Sequence, residues 1–515
     1  MLSYNKNLKK KTVNYNLIST PNVELLNYLI QQKKYAQAQD IALRIINIFP
    51  NDEETLTKLA FILYELKNFK NALLIINKIL ELKPKKFSIL RNKALIYEKL
   101  LNYEKAIKIY NNCLFLEPKN VDIYNSIAVL LFKLGNIKQS IITLKKALNI
   151  NPNSEEVLVN YGTLLNEIGE NDSAVNILEK TLKINPNNYL AKKNLAIAFK
   201  DKGEFLISIE LFNKIIKINP DDFEANNILG IIYYNMGYEE KAKLHYRQAI
   251  QINKNSHLPY WNLYGLSENF NEARENLNKC LFYNKDFIQA KLSLTAIDYY
   301  ENDKIQYNEL TKSEKGHPYV RSFKWIFDLS NKPQMFFNKW SLFRYIFKIC
   351  DISKPFYEFG VWTGNSFNFI IKNINKGYGF DTFTGLPENW QVGNKIEKAG
   401  SYSNSNKIPK IKGGKFIKGE FKKTLPNFFS KPRSVASLIN IDVDLYSSTI
   451  CVLENVRNIV DKDTIIIFDE FLINDTWEQD EAKALFDFCS KYKYKYEVIA
   501  YSFFSKQVAI KLIKI

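Results

Sequence analysis

The stretch Tyr357-Glu358-Phe359-Gly360-Val361-Trp362-Thr363-Gly364-Asn365-Ser366 decides how the C-terminal part of the chain is read. An apolar run ends in spaced glycines and then opens into a helical pattern. Glycine lets the backbone turn sharply there, so that a ligand can lie against main-chain N–H groups at a helix start. The spacing Glu-x-Gly-x-x-x-Gly departs from the Gly-x-Gly-x-x-Gly of dinucleotide folds, and an acidic residue inside the loop repels a pyrophosphate. A cofactor with a cationic amino-acid end suits it better. A tight strand-to-helix turn without any ligand has the same local pattern, so the residues downstream must distinguish the two.

Outward from this loop, from Lys354 on, short β-rich runs alternate with helical ones. Strands are predicted at 355–361, 377–383, 415–420, 437–445, 464–471, 496–503 and 507–513, with helices at 366–375, 448–460 and 478–492. Such alternation implies a mostly parallel sheet with helices on both faces and ligands beyond the carboxyl ends of the strands. The last two strands are joined by a link short enough for a hairpin, so the final strand is expected to be antiparallel. Acidic residues fall at those carboxyl ends: Glu358 on the first strand, Asp381 on the second, Asp442 and Asp444 on the fourth, Asp469 and Glu470 on the fifth. One carboxylate at a strand end is commonly structural; several on one edge point to a site.

Residues two apart in an extended strand share a face, which groups Asp442 with Asp444. With Asp469 and Glu470 they offer hard oxygen ligands suited to Mg²⁺ or a similar divalent cation. All three histidines, His245, His257 and His317, precede Gly360, which leaves a carboxylate, Asp444, as the expected base, with a lysine as the lesser alternative. The same Asp442-Val443-Asp444 also mimics the D-x-D of metal-dependent glycosyltransferases, and a pure binding scaffold is a further alternative. The polar stretch 391–414 is long for a compact domain and is read as a lid.

Upstream, prolines recur at Pro50, Pro84, Pro118, Pro152, Pro186 and Pro220, each thirty-four residues after the last. Small residues keep the same period at Ala60, Ala94, Ala128, Gly162, Ala196 and Gly230, and again at Ala38, Ala72, Ala106, Ser140, Ala174, Ser208 and Ala242. Small side chains in phase mark the points where paired helices approach closely. The pattern resembles the tetratricopeptide repeat, which implies an α-solenoid with a concave surface for a protein or peptide partner. Asn92, Asn160, Asn194 and Asn262 share one register and are read as a ladder for an extended backbone, interrupted by Ser126 and Ile228. The expected organisation is a flexible terminus at 1–19, a repeat array at 20–287, a helical joint at 288–331 and an α/β domain at 332–515.

The formal charge is +18, yet the lysines are spread over every segment, which reads as solvated faces; a nucleic-acid partner is not indicated. The five scattered cysteines form no C-x-x-C pair, and no run is long and apolar enough to span a bilayer, so a cytoplasmic location is expected.

The phrases Glu358-Phe-Gly360-Val-Trp-Thr-Gly364, Gly379-Phe-Asp381-Thr-Phe-Thr-Gly385-Leu-Pro387, Gly419-Glu-Phe-Lys-Lys-Thr424-Leu-Pro426, Asp442-Val-Asp444-Leu-Tyr446-Ser-Ser-Thr449 and Phe468-Asp469-Glu470 resemble the macrocin O-methyltransferase family over 340–515. The seven-stranded sheet with one antiparallel strand likewise resembles the class I, Rossmann-like S-adenosylmethionine-dependent methyltransferase fold. The resemblance implies an enzyme that methylates a hydroxyl of a sugar, glycan or glycosylated product, using S-adenosylmethionine and Mg²⁺. By position it implies Glu358, Gly360, Thr363, Gly364, Ser366, Asp381 and Asp442 at the cofactor, Asp442, Asp469 and Glu470 at the metal, and Asp444 as base. Two departures stand out. The histidine that some members use is missing, and Glu470 stands where a second Asp is usual.

Overall fold

The computed structural model describes residues 23–301, 305–393 and 395–514, so the expected flexible terminus at 1–19 lies outside the described residues. Two compact units form: one holds residues up to 167 together with 176–186, the other 168–175 together with 187 onward.

The first unit is built of helix pairs such as Glu53–Glu65 with Phe69–Leu82 and Val121–Lys133 with Ile137–Ile150. Asp52, Asn68, Asn102 and Asn120 each accept a backbone N–H at a helix start, satisfying one of the donors that a helix leaves orphaned there. The in-phase small residues sit where expected: Ala72, Ala94, Ala106 and Ala128 are fully buried. Where serine replaces alanine in that register, the hydroxyl is satisfied across the helix pair. Ser140 Oγ donates to the Ala128 carbonyl at 2.7 Å, and Ser208 Oγ in the second unit donates to Ala196 in the same way.

In the second unit the repeats continue through Tyr189–Asp201, Phe205–Ile218, Phe223–Asn235 and Glu239–Ile252. The next pair is atypical, with a first helix cut to Leu258–Tyr264 and a second at Phe270–Tyr283. Terminal repeats are expected to deviate in this way. Residues 288–331, read as a joint, are helical at Ile288–Tyr300, Ile305–Ser313 and Pro318–Phe327. Val320, Phe323 and Ile326 lie in the same buried cluster as the sheet's Ile439, Ile466 and Phe468, so this segment belongs to the core of the sheet.

The strands are β1 (Gln334–Phe336), β2 (Phe356–Phe359), β3 (Gly377–Asp381), β4 (Trp390–Val392), β5 (Lys395–Glu397), β6 (Gly414–Lys418), β7 (Leu438–Ile441), β8 (Ile465–Phe468), β9 (Tyr494–Ser502) and β10 (Val508–Lys514). Eight of them form one sheet in the order β1-β9-β10-β8-β7-β2-β3-β6; β4 and β5 pair separately. Every neighbour in the large sheet is parallel except β10, which runs antiparallel to both β8 and β9. The expected hairpin and antiparallel final strand are present. The eighth strand, β1, was not foreseen: three residues after a Lys-Pro carry too little pattern to be read as a strand. Alternate residues divide between the faces: Ile465 and Ile467 join Trp340, Phe343 and Phe367 on one side, while Ile466 and Phe468 meet Leu453 and Leu485 on the other.

The repeats of this unit are bonded to the sheet domain directly. Trp340 Nε1 donates to the Tyr234 carbonyl at 2.8 Å, Asn338 Nδ2 donates to the Gly265 carbonyl at 2.7 Å, and Phe504 packs edge-on to Tyr234 and Tyr264.

Candidate functional site

Because β7 lies beside β2, the loops that follow the two strands meet. Gly360 has φ +82, and a Cβ on it would overlap the carbonyl oxygen of Asp442. Only glycine allows that approach. Gly364, also at φ +82, precedes the short helix Asn365–Ile371, and a Cβ there would come within 2.8 Å of Ile411 and 3.2 Å of Pro409. Gly364 therefore faces the 391–414 loop.

The loop's amides are already engaged. Asp381 Oδ2 accepts from the N–H groups of both Val361 and Trp362 at 2.7 Å, and Oδ1 accepts from Phe383 N–H at 2.7 Å. Asp381 thus organises the loop as well as lining the cavity above it. Glu358 sits behind the loop, 1% exposed, with Oε1 accepting from Asn440 Nδ2 at 3.1 Å and Oε2 without a partner. Burial pushes its carboxyl up to about 8.

Beyond the strand ends lies a cavity of about 680 Å³, of the size typical for cofactor and small-ligand sites. Its wall includes Gly360, Asp381, Asp442, Asp444, Asp469 and Glu470. Glu358, Thr363, Gly364 and Ser366 do not reach it. β7 ends at Ile441, so Asp442 and Asp444 stand in the following loop, and Asp444 has φ +60. Strand alternation, the expected reason for their grouping, is therefore not what brings them together; the loop's path around Gly360 is. Burial, reinforced by neighbouring carboxylates, pushes Asp442 and Asp444 well above the usual carboxylate range.

The cluster's charge is balanced by residues that the sequence reading missed. Lys506, in the turn between β9 and β10, pairs with Glu470 at 2.6 Å, and Lys339 lies 3.9 Å from Asp469. Gln507 Nε2 donates to Asp469 Oδ1 at 2.7 Å. Although burial disfavours their charged forms, the acidic neighbours hold both lysines above the ordinary range. The expected metal ligands Asp442, Asp469 and Glu470 all lie on the cavity wall. Among the described residues no three His, Cys, Asp or Glu side chains are arranged to hold a metal ion, and of Asp442, Asp469 and Glu470 the last two already face an amide and an ammonium. The donor chemistry suits a hard cation, but the arrangement does not fit one. No signal distinguished Lys339 and Lys506 among so many lysines.

The stretch 391–414 closes over this edge. β4 and β5 and the turns beyond them bring Trp390, Val392, Lys395, Glu397 and Tyr402 to the cavity wall. The segment is tied down by Asn404 Nδ2, which donates to the Trp362 carbonyl at 3.1 Å, and by two amides, of Asn404 and Asn406, that donate to the Phe383 carbonyl.

In the repeats, Asn160 Nδ2 donates to Asn125 Oδ1 at 2.9 Å and Asn262 Nδ2 to Asn227 Oδ1 at 3.1 Å. These two bonds each tie one repeat to the one before it.

The model for a family described as a methyltransferase domain matches residues 357–471, which span the loop, Asp381, Asp442, Asp444 and Asp469. Tetratricopeptide repeat models match 89–120, 121–154, 155–188 and 223–256, and one for Chs5p-Arf1p-binding proteins matches 3–86. No curated protein matches the chain. Among solved structures, a tetratricopeptide repeat protein from Parabacteroides merdae is 19% identical, over 47% of this chain and 97% of its own, with a TM-score of 0.42. MamA from Desulfovibrio magneticus RS-1 is 18% identical over 33% and 95%, with a TM-score of 0.31. The repeat protein YrrB is 22% identical over 36% and 95%, with a TM-score of 0.30. The chain therefore joins tetratricopeptide repeats to a methyltransferase domain. Among the described residues no helix is long and apolar enough to cross a membrane.

Proposed function

We propose that the chain is an S-adenosylmethionine-dependent O-methyltransferase acting on a hydroxyl of a sugar, glycan or glycosylated product, with the repeats serving partner or substrate binding. The observation that carries this reading is the cavity of about 680 Å³ at the carboxyl ends of β2, β3, β7 and β8, where Gly360 clears the floor and Asp381 lines the wall. When bound, S-adenosylmethionine supplies an electrophilic methyl group on a sulfonium. The chain's share is to hold that group through Gly360, Asp381 and Asp442, to exclude water with the 391–414 segment, and to accept the hydroxyl proton at the Asp444 carboxylate. A carboxylate whose affinity for protons is raised by burial is a better general base than a solvated one. No step runs through a metal, because Lys506 and Gln507 already engage the carboxylates expected as ligands. The five cysteines are unpaired, which fits a cytoplasmic location. Isothermal titration with S-adenosylmethionine tests the reading: binding by the wild type, lost or weakened in Asp381→Ala, supports it. A folded wild type that takes up none refutes it.

A further inference from the structure

The turns inside successive repeats carry equivalent glycines, Gly135, Gly169, Gly203 and Gly237, with φ of +76, +76, +73 and +76. The strain of placing a side chain there is the same in each; the surroundings are not. A Cβ on Gly135 or Gly169 meets nothing within 4 Å. On Gly203 it would overlap Thr363 Cγ2 and come within 2.8 Å of Trp362 Cζ2. One repeat turn has given up its free space to the loop that follows β2.

Two residues on, Phe205 meets Trp362 edge to face at 6.0 Å and 88°, and Trp362 packs against the same buried cluster as Phe212, Ile228 and Leu229 of the repeats. Tyr402 of the 391–414 segment meets the indole from another direction, at 6.4 Å and 83°. Trp362 itself has φ +49, a left-handed conformation that a bulky residue keeps only when its surroundings impose it. The residue also forms part of the cavity wall, and its indole N–H, whose neighbouring ring carbons lie against Gly203, is buried without an acceptor.

We propose that Gly203 and Phe205 are positioning residues of the methyl-donor site: this one repeat turn holds Trp362, and with it the glycine loop, in the conformation that receives the cofactor. The proposal rests on the S-adenosylmethionine reading above. It makes part of the repeat array a component of the enzyme's cofactor site, separate from any role in recruiting a partner.

Full-length wild type, Gly169→Ala and Gly203→Ala are titrated with S-adenosylmethionine, and each is melted. Both variants should lose thermal stability, since both place alanine at positive φ, and Gly203→Ala should lose more, because its Cβ also meets Thr363 and Trp362. Gly169→Ala should bind as the wild type does. Gly203→Ala should raise Kd by roughly ten- to a hundredfold, because a misplacement of about 1 Å in a positioned site can cost up to about 10²-fold. Thr363→Ser, which removes the nearest methyl group, should recover part of that loss in the Gly203→Ala background. Phe205→Leu keeps the repeat's core filled and removes the aromatic edge, so it should shift Kd in the same direction and serves if Gly203→Ala does not fold. Unchanged Kd in the folded variants, with the wild type binding normally, overturns the proposal alone. Absence of binding in every folded form overturns the cofactor reading and this proposal with it.

Discussion

Replacing Asp381 by alanine removes the acceptor for three backbone N–H groups at once, those of Val361, Trp362 and Phe383, each at 2.7 Å. Hydrogen bonds to a charged acceptor contribute about 1.5–3 kcal/mol each when their loss leaves a buried donor unpaired. Two of the three share one oxygen and border a cavity where water can replace them, so the sum is discounted to about 2–4 kcal/mol. At about 2.1 cal/mol/K per residue, a unit of roughly 340 residues shifts its Tm by about 1.4 °C per kcal/mol, which places the expected drop near 3–6 °C. Asp381→Asn keeps one acceptor oxygen and should lose about half as much. Melting followed by circular dichroism measures the loss, and titration with S-adenosylmethionine measures the loop's competence. A Tm for Asp381→Ala within a degree of the wild type would show that these three contacts do not hold the loop, and the assignment of Asp381 as its organiser would fail.

Glu358 gives a pH signature. Its carboxyl is raised to about 8 by burial, so the native state holds a proton that the unfolded chain releases near 4.5, and stability falls as pH rises through that window. Glu358→Gln cannot ionise, so its Tm should change less between pH 5 and 8 and exceed that of the wild type at pH 8.5; parallel curves would refute this. Asp444→Asn should cut turnover by about 10²–10⁴-fold with little change in cofactor affinity, the loss expected for a general base. Turnover should persist in EDTA, and loss restored by Mg²⁺ would return Asp442, Asp469 and Glu470 to the role of ligands. A chain beginning at residue 187, after the last segment of the first unit, should fold, whereas one beginning at 305 loses the Tyr234 and Gly265 carbonyls that accept from Trp340 and Asn338 and should aggregate; equal behaviour in size-exclusion chromatography would count against the interface.

The repeats were legible because burial of a small residue at a helix contact recurs with a fixed period, so Ala94 and Ala128 identify each other. The sheet was legible for a similar reason: buried parallel strands read as short apolar runs, and acidic residues mark their ends. What stayed hidden depends on contacts remote in sequence. Nothing near Lys506 indicates that it faces Glu470, thirty-six residues away, and nothing near Gly203 indicates that Thr363 occupies the space beside it. Asp442 and Asp444 were rightly brought to one cavity but for the wrong local reason, since the extended backbone stops at Ile441. The asparagine register was visible as a period, while its bonding to Asn125 and Asn227 required the neighbouring repeat.

The short strand β1 has a consequence for assembly. An edge strand is a template for unwanted pairing with another chain, and β9 would be a long one. β1 covers its Ala500–Ser502 end, and Asn331 Nδ2 takes the Val498 carbonyl at 2.6 Å. The remaining outer stretch carries Lys495 and Glu497, exposed charges that disfavour an incoming strand. This margin of the sheet is therefore guarded against polymerisation and fibril growth, and a destabilising change at Asn331 or Met335 should be felt as insolubility and, because β1 runs into Lys339 of the cavity wall, at the site as well.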